Sequence, residues 1–121
     1  MTKQPVVLVD ARNVLRSRWP NIPERKLVEL VERWAEREAL DAVVVFDGPA
    51  PKGVSGRAEV IGTGAESADD WIARAGAGYV SEGRPYWLVT SDRALREAVG
   101  RAAERVIGGG AFAGTLLHSS D

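Results

Sequence analysis

The chain has 121 residues, a length that fits a single domain spanning 1–121. Its hydrophobic fraction of 45% is ordinary for a globular domain, and a net charge of −1 carries no global signal for a polyanion. Cysteine is absent and His118 is the single histidine, which removes disulfides, zinc ribbons, thiol nucleophiles and iron–sulfur clusters and leaves a Ser-His-Asp triad only a base near the chain end.

The first apolar run, PVVLVD (5–10), is β-branched and reads as a strand buried on both faces. It is too short for a signal-peptide core, and no stretch approaches the ~20 apolar residues of a membrane span. A cytoplasmic protein without a membrane partner is therefore expected. NIPERKLVELVERWAERE (21–38) places Leu27, Leu30, Val31 and Trp34 at helical spacing, with Asn21 as a cap and Pro23 in the first turn. DAVVVFD (41–47) is a second buried strand, and GPAPKGVSGR (48–57) a Gly/Pro-rich loop. AEVIG (58–62) reads as a third, shorter strand.

GAESADDWIARAG (64–76) follows as a helix starting near Ser67, with Trp71, Ile72 and Ala75 on its apolar side. PYWLVTSD (85–92) is another strand. RALREAVGRAAE (93–104) is a helix with Leu95, Val99 and Ala102–Ala103 in phase. RVIGGG is a last short strand and turn, and AFAGTLL (111–117) a terminal helical turn. Apolar strands alternating with amphipathic helices predict an α/β, Rossmann-like three-layer fold with a mainly parallel central sheet. Ligands of such sheets bind beyond the carboxyl ends of the strands.

Three strands end in aspartate: Asp10, Asp47 and Asp92. In a parallel sheet these lie along one edge, and neighbouring strands are only about 4.8 Å apart. A helix starting near Ser67 adds Glu66, Asp69 and Asp70 to that edge. Crowded carboxylates repel, and hard cations such as Mg²⁺ or Mn²⁺, which take oxygen ligands, would neutralise them. Such ions polarise a phosphodiester and activate water. Each residue also has a plain structural role. Ser67 with Asp70 matches a capping box; Asp69 and Asp70 suit a first helical turn; Ser91 or Asp92 can cap the helix after it; Asp10 and Asp47 suit turns, and Asn13 a local cap. Joint placement at one edge is what independent caps do not require.

These residues carry a family resemblance. LVDARNVL (8–15) resembles the opening of NYN domains in the PIN-like nuclease superfamily, where Asp-x-x-Asn follows the first strand. ESADDWIAR (66–74) resembles their acidic helix, VTSDRALRE (89–97) their later Ser-Asp, and GGGAFAGTL (108–116) the close of the YacP-like branch. The resemblance implies a metal-dependent endoribonuclease with a PIN fold, in which Asp10, Asp69 or Asp70, and Asp92 hold Mg²⁺ or Mn²⁺. Glu66 and Asp47 are further candidate ligands. Asn13 would position the metal-bound water or the scissile phosphate. The branch includes a ribosome-associated endoribonuclease, so ribosomal or messenger RNA is the implied substrate. Many relatives carry Gly-Tyr between the Asp and the Asn; here the pair is Ala11-Arg12.

Arginines flank the acidic residues, and their planar donor forks suit phosphate. Arg12, Arg16, Lys52, Arg57 and Arg93, with Ser91, are the expected substrate contacts; Arg74 and Arg96 read as solvated surface charges. Trp19, beside Pro20, is placed to stack on a base. Trp34, Trp71 and Trp87 fall at core phases. RNA is the expected partner, and homo-oligomerisation stays open.

Three rival readings are set against this one. A dinucleotide-binding domain needs Gly-x-Gly-x-x-Gly after its first strand, and VDARNV has no glycine. A receiver-like phosphoacceptor domain would want an acidic pair after the first strand and a lysine after the last. A catalytically inactive RNA-binding PIN-like protein would keep its RNA affinity on Asp→Asn change.

Overall fold

A computed structural model describes residues 4–52 and 58–119. Its strands are β1 (Val6–Asp10), β2 (Asp41–Phe46), β3 (Glu59–Gly62), β4 (Tyr86–Val89) and β5 (Arg105–Ile107). They form one five-stranded sheet in the order β3-β2-β1-β4-β5, with parallel pairing throughout. The helices are α1 (Ala11–Arg16), α2 (Glu24–Glu38), α3 (Ala68–Glu82), α4 (Arg93–Val99) and α5 (Gly109–Ser119). The α/β layered architecture is the one expected.

The unbroken apolar character of β1 and β2 follows from burial on both faces. Alternate side chains of a strand point to opposite sides. Val7, Val9 and Val44 join one core, with Leu27, Val31 and Trp34 of α2 and Phe112 of α5. Val6, Leu8, Val43 and Val45 join the other, with Ile72 of α3 and Leu95 and Val99 of α4. Trp34 meets Phe112 edge-on, ring centres 5.0 Å apart, which ties α2 to α5. Among the described residues no helix is long and apolar enough to cross a membrane.

Four local readings are corrected. Helix α1 starts directly after Asp10, where six residues are too few to show a helical period. Position 23, not Asn21, is the N-cap of α2; the Asn21 amide instead donates to the carbonyls of Arg18 at 2.8 Å and Leu15 at 3.2 Å. The helix beginning at Arg93 stops at Val99 and gives way to a 3₁₀ turn over Gly100–Ala102. Finally, α5 is a full helix that takes in Gly109 and Gly110 from the expected turn.

The chain adds β2 and β3 on one side of β1, then returns through α3 to lay β4 on the other. The strand order therefore reverses between β1 and β4. At such a switch point the outgoing loops diverge and leave a crevice at the carboxyl ends.

Candidate active site

The crevice is built on Asp10, the last residue of β1, which is only 6% exposed. Its Oδ2 accepts a hydrogen bond from Thr90 Oγ1 at 2.9 Å. Thr90 follows β4 directly and is itself fully buried. The same hydroxyl accepts the Asp92 N–H at 3.1 Å, and Asp92 Oδ1 accepts the Leu95 N–H at 2.9 Å, capping α4. One relay of hydrogen bonds thus fixes the ends of both strands at the switch point. The Asn13 backbone N–H, near the Asp10 carboxylate, favours its charged form without meeting the geometry of a capping bond.

Helix α3 brings a third carboxylate. Ser67 is its N-cap and accepts the Asp70 N–H at 3.1 Å, which sets Asp69 in the first turn. Asp10, Asp47, Asp69 and Asp92 line one cavity of about 260 Å³, together with Asn13, Ser67, Arg12 and Arg16. Four carboxylates thus face two guanidiniums, and one of those, Arg12, is paired with Asp47 at 3.1 Å.

The crowding is visible in the proton affinities. Burial pushes the Asp10 carboxyl above its ordinary 3.8; the charges of Asp69 and Asp92 add to this, while the bond from Thr90 and the nearby Asn13 N–H oppose it. Asp69 is also raised, by its desolvation first and then by Asp92, Asp47 and Asp70. The strand-end aspartates Asp10, Asp47 and Asp92 stand together in the cavity, and of the pair Asp69 and Asp70 it is Asp69 that joins them.

Other expected site residues stand elsewhere. Glu66 is turned away into a two-pronged pair with Arg74, one prong at 3.0 Å, which holds its carboxyl below the usual range. Asp70 is exposed, and it is Asp69, its neighbour, that lines the cavity. Lys52 is exposed and does not line the cavity. Ser91 and Arg93 flank Asp92 but line a separate groove. Arg57 lies outside the described residues.

A second network orients Asn13. Its Oδ1 accepts the Ser91 N–H at 2.8 Å, and Ser91 Oγ accepts the Gly109 N–H at 2.8 Å. A β-carbon on Gly109 would stand 2.1 Å from Asn13 Oδ1, so only glycine lets the start of α5 approach this closely. Thr90 and Gly109 lie within the quoted stretches VTSDRALRE and GGGAFAGTL, but neither is singled out there as a site residue. Their only signals are a hydroxyl directly after an apolar strand and a glycine run where a helix begins.

The donor set suits a hard divalent cation, since every acidic donor is a carboxylate oxygen. As the side chains stand, no group of three or more among the described residues is arranged to hold a metal ion directly. Mg²⁺ keeps several waters and binds through one or two carboxylates, which is compatible with this spacing.

No protein-family model matches this sequence, and no curated protein matches it. Among solved structures the chain is similar in fold to Rae1 (YacP) from Bacillus subtilis. The TM-score is 0.75, with 21% identity over 95% of this chain and 75% of that one. For a single-substitution variant of the same protein the TM-score is 0.72, with 19% identity over 96% of this chain and 79% of that one. The chain therefore has the fold that its YacP-like, PIN-like motifs implied.

Proposed function

We propose that this protein is a metal-dependent ribonuclease that cuts RNA internally, with ribosomal or messenger RNA as substrate. One observation carries the reading: Asp10, Asp47, Asp69 and Asp92 converge at the topological switch point, where among the described residues only Arg12 and Arg16 stand against them. Two further facts support it: the likeness in fold to Rae1 (YacP), and the placement of the motif residues Asp10, Asn13, Asp69 and Asp92 around one cavity of this chain.

Asp10, Asp69 and Asp92 would hold Mg²⁺ or Mn²⁺. When bound there, the ion supplies Lewis-acid polarisation of a phosphodiester and a more acidic water. The side chains of the protein do the rest. Thr90 locks the Asp10 carboxylate, and the α4 cap occupies one oxygen of Asp92, leaving the other for the cavity. Asn13 spends its Oδ1 on Ser91, so its amide NH₂ is the donor left for a phosphate oxygen. Arg16 lines the cavity and balances the charge of an incoming phosphate, while Arg12 shares its charge with Asp47.

The test is cleavage of single-stranded RNA in Mg²⁺ or Mn²⁺ by the parent, Asp10→Asn and Asp92→Asn, with circular dichroism of each. Asn is as good an N-cap as Asp, so Asp92→Asn keeps α4. The expected result is loss of at least about a hundredfold in rate with unchanged spectra. Cleavage by both variants at the parental rate refutes the assignment. Unchanged RNA affinity with no cleavage by the parent would identify a binding protein instead.

A further inference from the structure

On either side of Asp92 in the chain stand residues of a second, basic site. Ser91 and Arg93, its two chain neighbours, open a groove of about 490 Å³. Arg96 and Arg101 also line it, and Gly100 and Val106 give it an uncharged floor. None of the three arginines forms an ion pair among the described residues. Glu97, four residues from both Arg93 and Arg101, is the carboxylate that shares the groove. Three guanidiniums against this one carboxylate leave the groove with a surplus of positive charge that an anion would offset. In a chain of net charge −1 this accumulation is local, not a spillover of general basicity.

The floor has its own cause. A β-carbon on Gly100 would come within 3.1 Å of Val106 Cγ2. Glycine there lets the 3₁₀ turn sit down on β5 and brings Arg101 to the same groove as Arg93 and Arg96.

We propose that this groove is a phosphate-binding subsite for the RNA chain as it leaves the acidic cavity. The proposal rests on the ribonuclease reading for its ligand. Ser91 and Arg93 adjoin Asp92 in the chain, so a strand with one phosphate at Asp92 has this groove beside it for the phosphates that follow. Arginine forks bind successive phosphates without reading sequence, and the Gly100–Val106 floor accepts the flat, uncharged face of a sugar or base. Arg96, which looks like a solvated surface charge in the sequence, and Arg101 thereby gain a role.

The experiment measures binding of a fluorescein-labelled single-stranded RNA 20-mer to the full chain in EDTA, which prevents cleavage, from 50 to 300 mM salt. Arg96→Ala/Arg101→Ala is compared with the parent and with Arg96→Lys/Arg101→Lys. Each phosphate contact on a single strand contributes about 0.7 to the slope of log affinity against log salt, so losing two lowers it by about 1.4. Affinity at 50 mM salt falls by roughly tenfold or more, and the lysine pair restores both slope and affinity. An alanine pair with the parental slope overturns the groove and leaves the nuclease reading intact, provided the parent cleaves RNA. A parent that binds RNA through the groove but never cleaves it keeps the subsite and removes the nuclease. Groove-dependent binding of polyglutamate but not RNA makes this a protein-docking surface and overturns the proposal.

Discussion

Gly109→Ala separates the order of the site from the stability of the fold. The added β-carbon would stand 2.1 Å from Asn13 Oδ1 and 3.2 Å from both Asn13 Cγ and the Asn13 carbonyl oxygen. The first of these is the tip of a rotatable side chain, so Asn13 swings away instead of the helix moving. The cost is the bond from Ser91 N–H to Asn13, about 1 kcal/mol, and water replaces it because Ser91 is exposed. Alanine is favoured over glycine by up to about 1 kcal/mol inside a helix and by less at Gly109, the first residue of α5, so it offsets part of this cost. The melting temperature therefore moves by less than about 5 °C. The effect on chemistry is far larger, because a group displaced by about 1 Å can lower a rate by roughly a hundredfold. Three measurements check this: thermal melting, single-turnover RNA cleavage, and hydrogen exchange at the Ser91 amide. The expected pattern is a small melting shift, a rate loss of ten- to a hundredfold, and faster Ser91 exchange. Parental cleavage, or a Ser91 amide as protected as before, would show that Gly109 does not hold Asn13 in place.

Three further outcomes are expected. The raised Asp10 and Asp69 carboxyls mean that the folded chain binds protons more tightly there than the unfolded chain does. In EDTA the folded state is therefore penalised as pH climbs above 3.8, the ordinary value, through the raised ones. The melting temperature of Asp10→Asn should gain on that of the parent between pH 3 and pH 7, and a constant difference would contradict this. Adding Mn²⁺ at about a hundred times its dissociation constant should raise the parent by about 2.7 kcal/mol and Asp10→Asn by much less. Trp19 is 90% exposed, so Trp19→Ala should leave stability within about 0.5 kcal/mol. It should weaken single-stranded RNA binding by about 1–3 kcal/mol, the worth of one stacked base; an unchanged affinity rejects the stacking role.

The fold is readable in the sequence because β1 and β2 must be apolar on both faces, and only a doubly covered parallel sheet asks for that. Asp10, Asp69 and Asp92 are readable for the same reason, since strand ends and helix starts of a parallel sheet share one edge. What stays hidden depends on direction. Glu66 lies at that edge, yet its partner Arg74 draws it away, and nothing in the spacing of the acidic residues ranks that pairing above a metal. Arg93 is one residue from Asp92 but faces another groove, because consecutive residues entering a helix diverge by about 100°. Thr90 and Gly109 work through partners 80 and 18 residues away, Asp10 and Ser91. A single sequence does not show such contacts.

Capping and coordination look like competing explanations for the acidic residues, and in this fold they are not. Asp92 commits Oδ1 to the Leu95 N–H, which leaves its other oxygen beside Asp10 and Asp69. Ser67 takes the capping duty of α3, which frees Asp69 from it. Helices α1, α3 and α4 all begin at the carboxyl edge of the sheet, so their amino-terminal partial charges face the carboxylates. Asp10 and Asp69 nevertheless hold protons more tightly than free carboxylates do, through burial first and then through the charges of their acidic neighbours. The remaining imbalance is what a divalent ion would remove.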